Sequence, residues 1–232
     1  MHIVILTGAG ISAESGLTTF RDADGLWNGY SIEDVATPAG YKKDPQRVLD
    51  FYNDCRKNVA AAQPNAAHYA LTKLQQSNHK VTIVTQNVDD LHERAGSKVL
   101  HMHGSLAEAV CTSCGHKQPA TDHMSINDPC MDCDELTVRP DIVWFGEEPY
   151  YMLDIDHELR RCDVFLAIGT SGNVYPAAGF VQVAGRKAHT VEFNLNRSEV
   201  SSKFRERVIG PASQTVPDWV DRFLENGNIP NV

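Results

Sequence analysis

Three features are scarce or missing in this sequence of 232 residues, and each absence argues against a class of protein. No apolar run approaches the roughly 20 residues of a membrane-spanning helix, so we expect no membrane contact. Lysine and arginine number 21 against 30 acidic residues, and this shortage opposes nucleic-acid binding, which depends on clustered basic side chains. No signal or targeting extension is recognisable, so a cytoplasmic location is expected.

Cysteine is also uncommon, but four of the six cysteines have the spacing of metal ligands. The pattern is Cys111-x2-Cys114-x15-Cys130-x2-Cys133. Four thiolates at this spacing predict a closed, tetrahedral zinc site without an open coordination position. Such a metal is structural, because it folds a small lobe that cannot build its own core. The pattern favours metal binding over disulfides in a cytosolic chain.

Polar side chains follow two apolar runs in the middle of the chain. Residues 81–85 are predicted to form a buried strand, after which come Gln86, Asn87 and Asp89. Residues 88–95 are predicted to form a short helix, and a second strand at 99–102 is followed by His103. Such residues often serve only turns and surface hydrogen bonds. However, open α/β sheets bind ligands at the carboxyl ends of their strands, so these groups are candidates for one site.

A glycine loop near the start predicts a phosphate-binding turn. Gly8, Gly10 and Ala13 follow a strand at residues 2–6 and match G-x-G-x-x-A, a pattern expected to open a helix. A dehydrogenase would next show an acidic residue after a second strand, about 20 residues on. Here a polar loop spans residues 18–30, and the next clear strand begins at Val81. The pattern therefore argues against hydride transfer.

The intervening and later segments predict the remaining elements. Asp44 and Pro45 begin a helix whose apolar stripe includes Tyr52 and Cys55, which periodicity alone would place in the core. Residues 138–146 are predicted to return to the main sheet as a strand whose edge could pair with an extended peptide. Other predicted elements are helices at 64–76, 176–184 and 216–224 and strands at 164–168 and 189–193.

These elements predict an α/β fold: a Rossmann-like, doubly wound, parallel sheet of about six strands with helices on both faces. A smaller lobe would combine a helical module at residues 31–75 with the zinc ribbon at 105–137. The large lobe would then comprise residues 1–30, 76–104 and 138–232. The cleft between the two lobes is the expected site.

Five short motifs occur in one order and resemble those of the sirtuin family from residue 3 to about 223. They are TGAGISAESG, TQNVDDLHERAG, HMHG, GTS at 169–171 and NLN at 194–196. The chain looks most like the bacterial class that removes acyl groups from protein lysines. The resemblance implies an enzyme that consumes NAD as a co-substrate and gives nicotinamide, O-acyl-ADP-ribose and free lysine.

The resemblance also assigns roles to individual residues. His103 would be the general base and Asn87 would hold a ribose and an ordered water, while Asp89 would hold the nicotinamide carboxamide. The other residues assigned to NAD are Gly8, Ala9, Gly10, Ser12, Ala13, Phe20, Arg21, Gln86, Gly169, Thr170, Ser171, Asn194, Asn196 and Ala212. Substrate contacts are assigned to Val143, Phe145 and Gly146.

One departure concerns the acyl pocket. Sirtuins that remove succinyl or malonyl groups carry Tyr-x-x-Arg, which holds the acyl carboxylate. In this chain Tyr52 is followed at the third position by Cys55, and Arg56 lies about 100° further around the helix. A cysteine cannot form a bidentate ion pair with a carboxylate, although Arg56 could still reach the pocket.

Two alternatives to the deacylase remain open at this stage. An NAD-dependent ADP-ribosyltransferase would cleave the same bond but pass ADP-ribose to a protein. A zinc module that senses NAD without turnover is the other, although the presence of both His103 and Asp89 speaks against it.

Overall fold

The computed structural model describes residues 1–18, 26–27 and 29–230. The strands are β1 (His2–Thr7), β2 (Leu26–Trp27), β3 (Tyr30–Ser31), β4 (Lys80–Thr85), β5 (Val99–His101), β6 (Gly104–Cys111), β7 (Lys117–Pro119), β8 (Val138–Ile142), β9 (Val164–Ile168), β10 (His189–Asn194) and β11 (Glu206–Ile209). The α-helices are α1 (Ile32–Val35), α2 (Pro38–Lys43), α3 (Pro45–Ala61), α4 (Ala66–Gln75), α5 (Leu91–Arg94), α6 (Met152–Arg161), α7 (Phe180–Ala184) and α8 (Ala212–Asn226). No described helix has the length and apolar character needed to cross a bilayer.

Six strands form a parallel sheet in the order β11-β10-β9-β1-β4-β5. Along β1, Ile3 and Ile5 pack into one core with α4 and α8, while Val4 and Leu6 pack into a second core with α6 and α7. Successive side chains of a strand point to opposite faces, so a continuous apolar strand needs helices on both sides. The Rossmann-like, doubly wound sheet is thereby confirmed.

The remaining strands, together with α1, α2 and α3, build a smaller part of the molecule. Strands β7, β6 and β8 form an antiparallel sheet. Cys111 is the last residue of β6, and the other three paired cysteines lie in the connections between these strands. Helix α3 begins where the sequence predicts, because the Asp44 carboxylate accepts a hydrogen bond from the Arg47 N–H at 3.1 Å and Pro45 occupies the first turn. The exact lobe boundaries remain a prediction.

Several predicted elements differ from the structure. No α-helix follows the glycine loop, since two short 3-10 turns, Ala9–Ile11 and Ala13–Ser15, replace it. Strand β8 ends at Ile142 and pairs with β6, so it does not join the main sheet. The predicted helix at residues 88–95 shrinks to α5. Strands β6 and β11 were not predicted, because neither has a simple alternation of buried and exposed positions.

Candidate functional site

A large cleft opens along the carboxyl edge of the parallel sheet. Its volume is about 1090 Å³, at the upper end of the range for small-molecule pockets and enough for a dinucleotide with a side chain beside it. The strands β1, β4, β9 and β10 all end at this cleft, because the carboxyl ends of parallel strands meet at one edge. The loops after these strands supply most of its polar groups.

The glycine loop after β1 lies at the middle of the cleft. A Cβ on Gly10 would come within 2.6 Å of the Gly169 Cα, and one on Gly8 within 2.8 Å of the Gly169 carbonyl oxygen. These glycines are therefore needed for contact between two loops of the protein, in addition to the tight turn and the approach to a phosphate that the sequence predicts. The N–H groups of Ala9 and Ala13 have no partner among the described residues and line the cleft region.

Three polar side chains form one buried network beside this loop. The Ser12 hydroxyl donates to the Asp89 carboxylate at 3.1 Å and accepts from the Asn87 amide at 3.2 Å. Burial raises the pKa of Asp89, against the hydrogen bonds from the Leu91 N–H and the Ser12 hydroxyl. The Gln86 N–H donates to the Thr7 carbonyl oxygen at 2.9 Å, which fixes the start of this loop against β1.

His103 follows β5 and lines the same cleft. Its Nδ1 lies 3.1 Å from the Gln86 carbonyl oxygen, an acceptor, so the neutral ring carries its proton on Nδ1. Desolvation lowers the pKa of His103, although the hydrogen bond to Gln86 opposes the shift. The ring is therefore neutral near pH 7, and Nε2 has no partner among the described residues. A neutral imidazole in this tautomer is able to accept a proton at Nε2.

Apolar side chains dominate the opposite wall of the cleft. Tyr52 from α3 is fully buried, and its hydroxyl accepts a hydrogen bond from the Trp144 indole N–H at 3.0 Å. Burial raises the pKa of Tyr52, so the phenol stays protonated. Cys55, one turn further along α3, also lines the cleft. Trp144 also lines the cleft but was not among the predicted site residues, and its polar indole N–H is the signal that could have placed it there.

The segment that follows β8 presents fewer main-chain groups than an open strand edge. Val143 and Phe145 line the cleft together with Gly146. However, the Val143 N–H donates to the His103 carbonyl oxygen and the Phe145 N–H to the Ala36 carbonyl oxygen, both at 2.9 Å. These two N–H groups are therefore already used within the protein.

Arg56 does not line the cleft, contrary to the possibility raised from the sequence. Its guanidinium donates to the Asn53 side chain at 2.5 Å, and Asn53 is in turn hydrogen-bonded to the backbone of Met124. The helix geometry accounts for this position, since one residue turns the side chain by about 100° away from the face of Cys55.

The far end of the cleft is formed by the loops after β9 and β10. The residues predicted there all line the cleft: Gly169, Thr170, Ser171, Asn194, Asn196 and Ala212. The Asn194 amide donates to the Thr170 carbonyl oxygen at 2.7 Å, which ties the two loops together. Asn173 and Arg197 also line this end and were not predicted. Phe20 and Arg21 lie outside the described residues.

The four paired cysteines form a compact cluster away from the cleft. Their sulfur atoms all lie within 4.8 Å of one another. The Sγ atoms of Cys111 and Cys133 are 3.7 Å apart, and those of Cys114 and Cys130 are 3.6 Å apart. A tetrahedral zinc ion with Zn–S bonds of about 2.3 Å requires sulfur separations of about 3.8 Å. The cluster therefore fits zinc.

Comparisons with known proteins agree with this arrangement. The model of the Sir2 family matches residues 8–176. An NAD-dependent protein deacylase of Shigella flexneri is 51% identical over 97% of this chain and 84% of that protein, and one of Leishmania major is 53% identical over 96% of each.

Solved structures give the same result. A Sir2 homologue in complex with NAD superposes with a TM-score of 0.89 at 38% identity, covering 97% of this chain and 90% of that one. Sir2Af2 bound to a myristoylated histone peptide superposes with a TM-score of 0.77 at 29% identity, covering 98% and 93%.

Proposed function

This chain belongs to the Sir2 family, and we propose on that premise that it is an NAD-dependent protein-lysine deacylase producing nicotinamide, O-acyl-ADP-ribose and free lysine. The observation that carries the proposal is that a neutral histidine and a buried carboxyl-amide network line the same cleft as the glycine loop. When bound, NAD supplies the leaving nicotinamide and the ribose hydroxyls. Acylated lysine side chains of proteins are the proposed partners.

His103 acts as the general base in this proposal. Its Nε2 accepts a proton from a ribose hydroxyl, while Nδ1–H remains bonded to the Gln86 carbonyl oxygen, so the charged ring keeps its orientation. Asp89 holds the nicotinamide carboxamide, and Asn87 orients a ribose and a water. Ser12 keeps both side chains in place through its single hydroxyl.

The glycine loop and the far end of the cleft, formed by the loops after β9 and β10, hold the rest of the dinucleotide. The proposed phosphate donors are the N–H groups of Ala9 and Ala13, because those of Gly8 and Gly10 already donate to Ile168 and Gly169. Ser171 and Asn196 would hold the adenosine, and Phe20 and Arg21 remain assigned to the nicotinamide ribose.

The acyl group lies against Tyr52, Cys55 and Trp144. Because Arg56 does not line the cleft and a cysteine carries no positive charge, we propose that acetyl and other uncharged acyl groups are preferred over succinyl. The peptide main chain would bind along the segment from Val143 to Gly146, which lines the cleft. Zinc is proposed to be structural, and the location is proposed to be cytoplasmic.

Mass spectrometry tests the function directly. Purified protein is incubated with NAD and matched acetyl-lysine and succinyl-lysine peptides, and O-acyl-ADP-ribose is expected mainly from the acetyl peptide. Cys55→Arg should raise the succinyl-to-acetyl ratio at least tenfold by restoring a charge-assisted clamp, whereas Arg56→Gln should leave that ratio unchanged. ADP-ribose attached to protein would point to a transferase, and no product at all would point to a sensor.

A further inference from the structure

The backbone on both sides of the proposed base is held by the segment that follows β8. The His103 carbonyl oxygen accepts from the Val143 N–H, and the Met102 carbonyl oxygen accepts from the Tyr150 N–H, both at 2.9 Å. Neither bond belongs to the parallel sheet. The position of His103 at the cleft therefore depends on where residues 143 and 150 are fixed, as well as on the bond of its Nδ1 to the Gln86 carbonyl oxygen.

A buried carboxylate fixes that segment. Asp141 is 1% exposed, and both of its oxygens are engaged. Oδ1 accepts from the Tyr150 hydroxyl and Oδ2 from the Lys117 ammonium, each at 2.6 Å. The Lys117 ammonium also lies 4.2 Å from the centre of the Tyr150 ring. A buried carboxylate is tolerated only when charge and hydrogen bonds compensate it, and here both do.

The backbone of Asp141 also touches the residue after His103. Gly104 has a φ of +81°, and a Cβ there would lie 1.9 Å from the Asp141 carbonyl oxygen. No other residue type fits at position 104 without moving β6 and β8 apart. The Asp141 backbone therefore lies against Gly104 on one side of His103, and its carboxylate bonds Tyr150, whose N–H holds Met102 on the other side.

We propose that Asp141, Tyr150 and Lys117 are positioning residues that hold His103 at the cleft. The proposal rests on the deacylase function, in which His103 is the base. Lys117 begins β7, three residues after Cys114, so it couples the cysteine-bearing hairpin to the base through one ion pair. Loss of any member would displace the imidazole, and displacements of about 1 Å cost catalysis roughly 100-fold in well-positioned sites.

Tyr150→Phe is the sharpest test, because it removes one hydroxyl and keeps both the ring and the backbone N–H. We expect kcat to fall roughly tenfold with the KM for NAD unchanged, at a temperature where the variant is fully folded. In a His103→Ala background the same substitution should cost nothing further, since the two residues act as a unit. The matched control is Tyr41→Phe, which removes a hydroxyl bonded at 3.5 Å to the Val138 carbonyl oxygen of the same lobe.

A second measurement does not require turnover. NMR titration of His103 in Tyr150→Phe and Lys117→Met should show its pKa moving back toward the ordinary value, because a loosened ring is better hydrated. An unchanged titration in both variants, or an equal loss with and without His103, would overturn the proposal. Absence of wild-type turnover with a shifted titration would instead refute the deacylase function and leave the positioning role standing.

Discussion

Lowering the pH should destabilise the protein through two buried histidines beneath the cleft. His68 on α4 and His92 on α5 are both fully buried, with ring centres 4.9 Å apart. Burial lowers the pKa of His68 to about 4, and burial with the nearby His68 and His101 lowers that of His92 to about 3. Both rings are therefore neutral in the folded state and gain protons on unfolding.

The magnitude follows from proton linkage. A histidine in the unfolded chain has a pKa of about 6.5, which is about 1.5 units above pH 5. At pH 5, protonation of each ring in the unfolded chain therefore lowers the free energy of unfolding by about 2 kcal/mol. This stability is fully present above pH 6.5 and is lost as the pH falls toward the folded values. The pair therefore removes about 4 kcal/mol by pH 5, a large share of the 5 to 15 kcal/mol typical of domains. His101, whose pKa is raised by Glu93, acts in the opposite direction, but its partner is 43% exposed.

Urea unfolding at pH 8, 6.5 and 5 measures the effect. His92→Gln retains an amide able to bond the Thr7 hydroxyl, now 3.0 Å from the His92 Nε2, and should reduce the loss by about half. His157→Gln, at an exposed position on α6, is the matched control. An acid loss of equal size in wild type and His92→Gln would refute the reasoning, as would NMR evidence that His92 titrates near pH 6.5 in the folded protein.

Three further predictions concern the site and the metal. His103→Ala should lower turnover by about 100-fold or more while melting temperature and zinc content stay normal, and undiminished turnover would remove it as the base. Cys111→Ser should lower zinc content and melting temperature together, so an unchanged melting curve with lost metal would contradict a structural role. Gly10→Ala should lower both stability and NAD affinity, because its Cβ would lie 2.6 Å from the Gly169 Cα; normal NAD binding by calorimetry would show that the two loops can separate.

The parallel sheet could be predicted because its strands are short apolar runs that end in polar residues. Thr85 is followed by Gln86 and Asn87, and the structure brings these groups to the cleft as the topology requires. Strand β8 could not be placed from its sequence, because the residues of a strand do not identify the strand with which it pairs. Its pairing with β6 brings Gly104 into close contact with Asp141, which only the folded chain reveals.

The glycine loop illustrates a different limit. The sequence indicates that Gly8 and Gly10 serve a phosphate-binding turn, but it does not reveal their neighbour within the protein, which proves to be Gly169. Likewise, periodicity places Tyr52 and Cys55 on one face of α3 but cannot distinguish a core from the wall of a cleft. The hydrogen bond between Tyr52 and Trp144 joins residues 92 positions apart, so no local pattern carries it.

The two walls of the cleft belong to different hydrophobic cores. Tyr52 and Cys55 come from α3 and pack with Trp144 in the small lobe, whereas the glycine loop continues from the large sheet. Substitutions in cores that share few neighbours have nearly additive effects. Substitutions on α3 can therefore change the preference for the acyl group while the loops that bind the dinucleotide stay intact. We expect relatives to diverge in this helix, and directed libraries should target it.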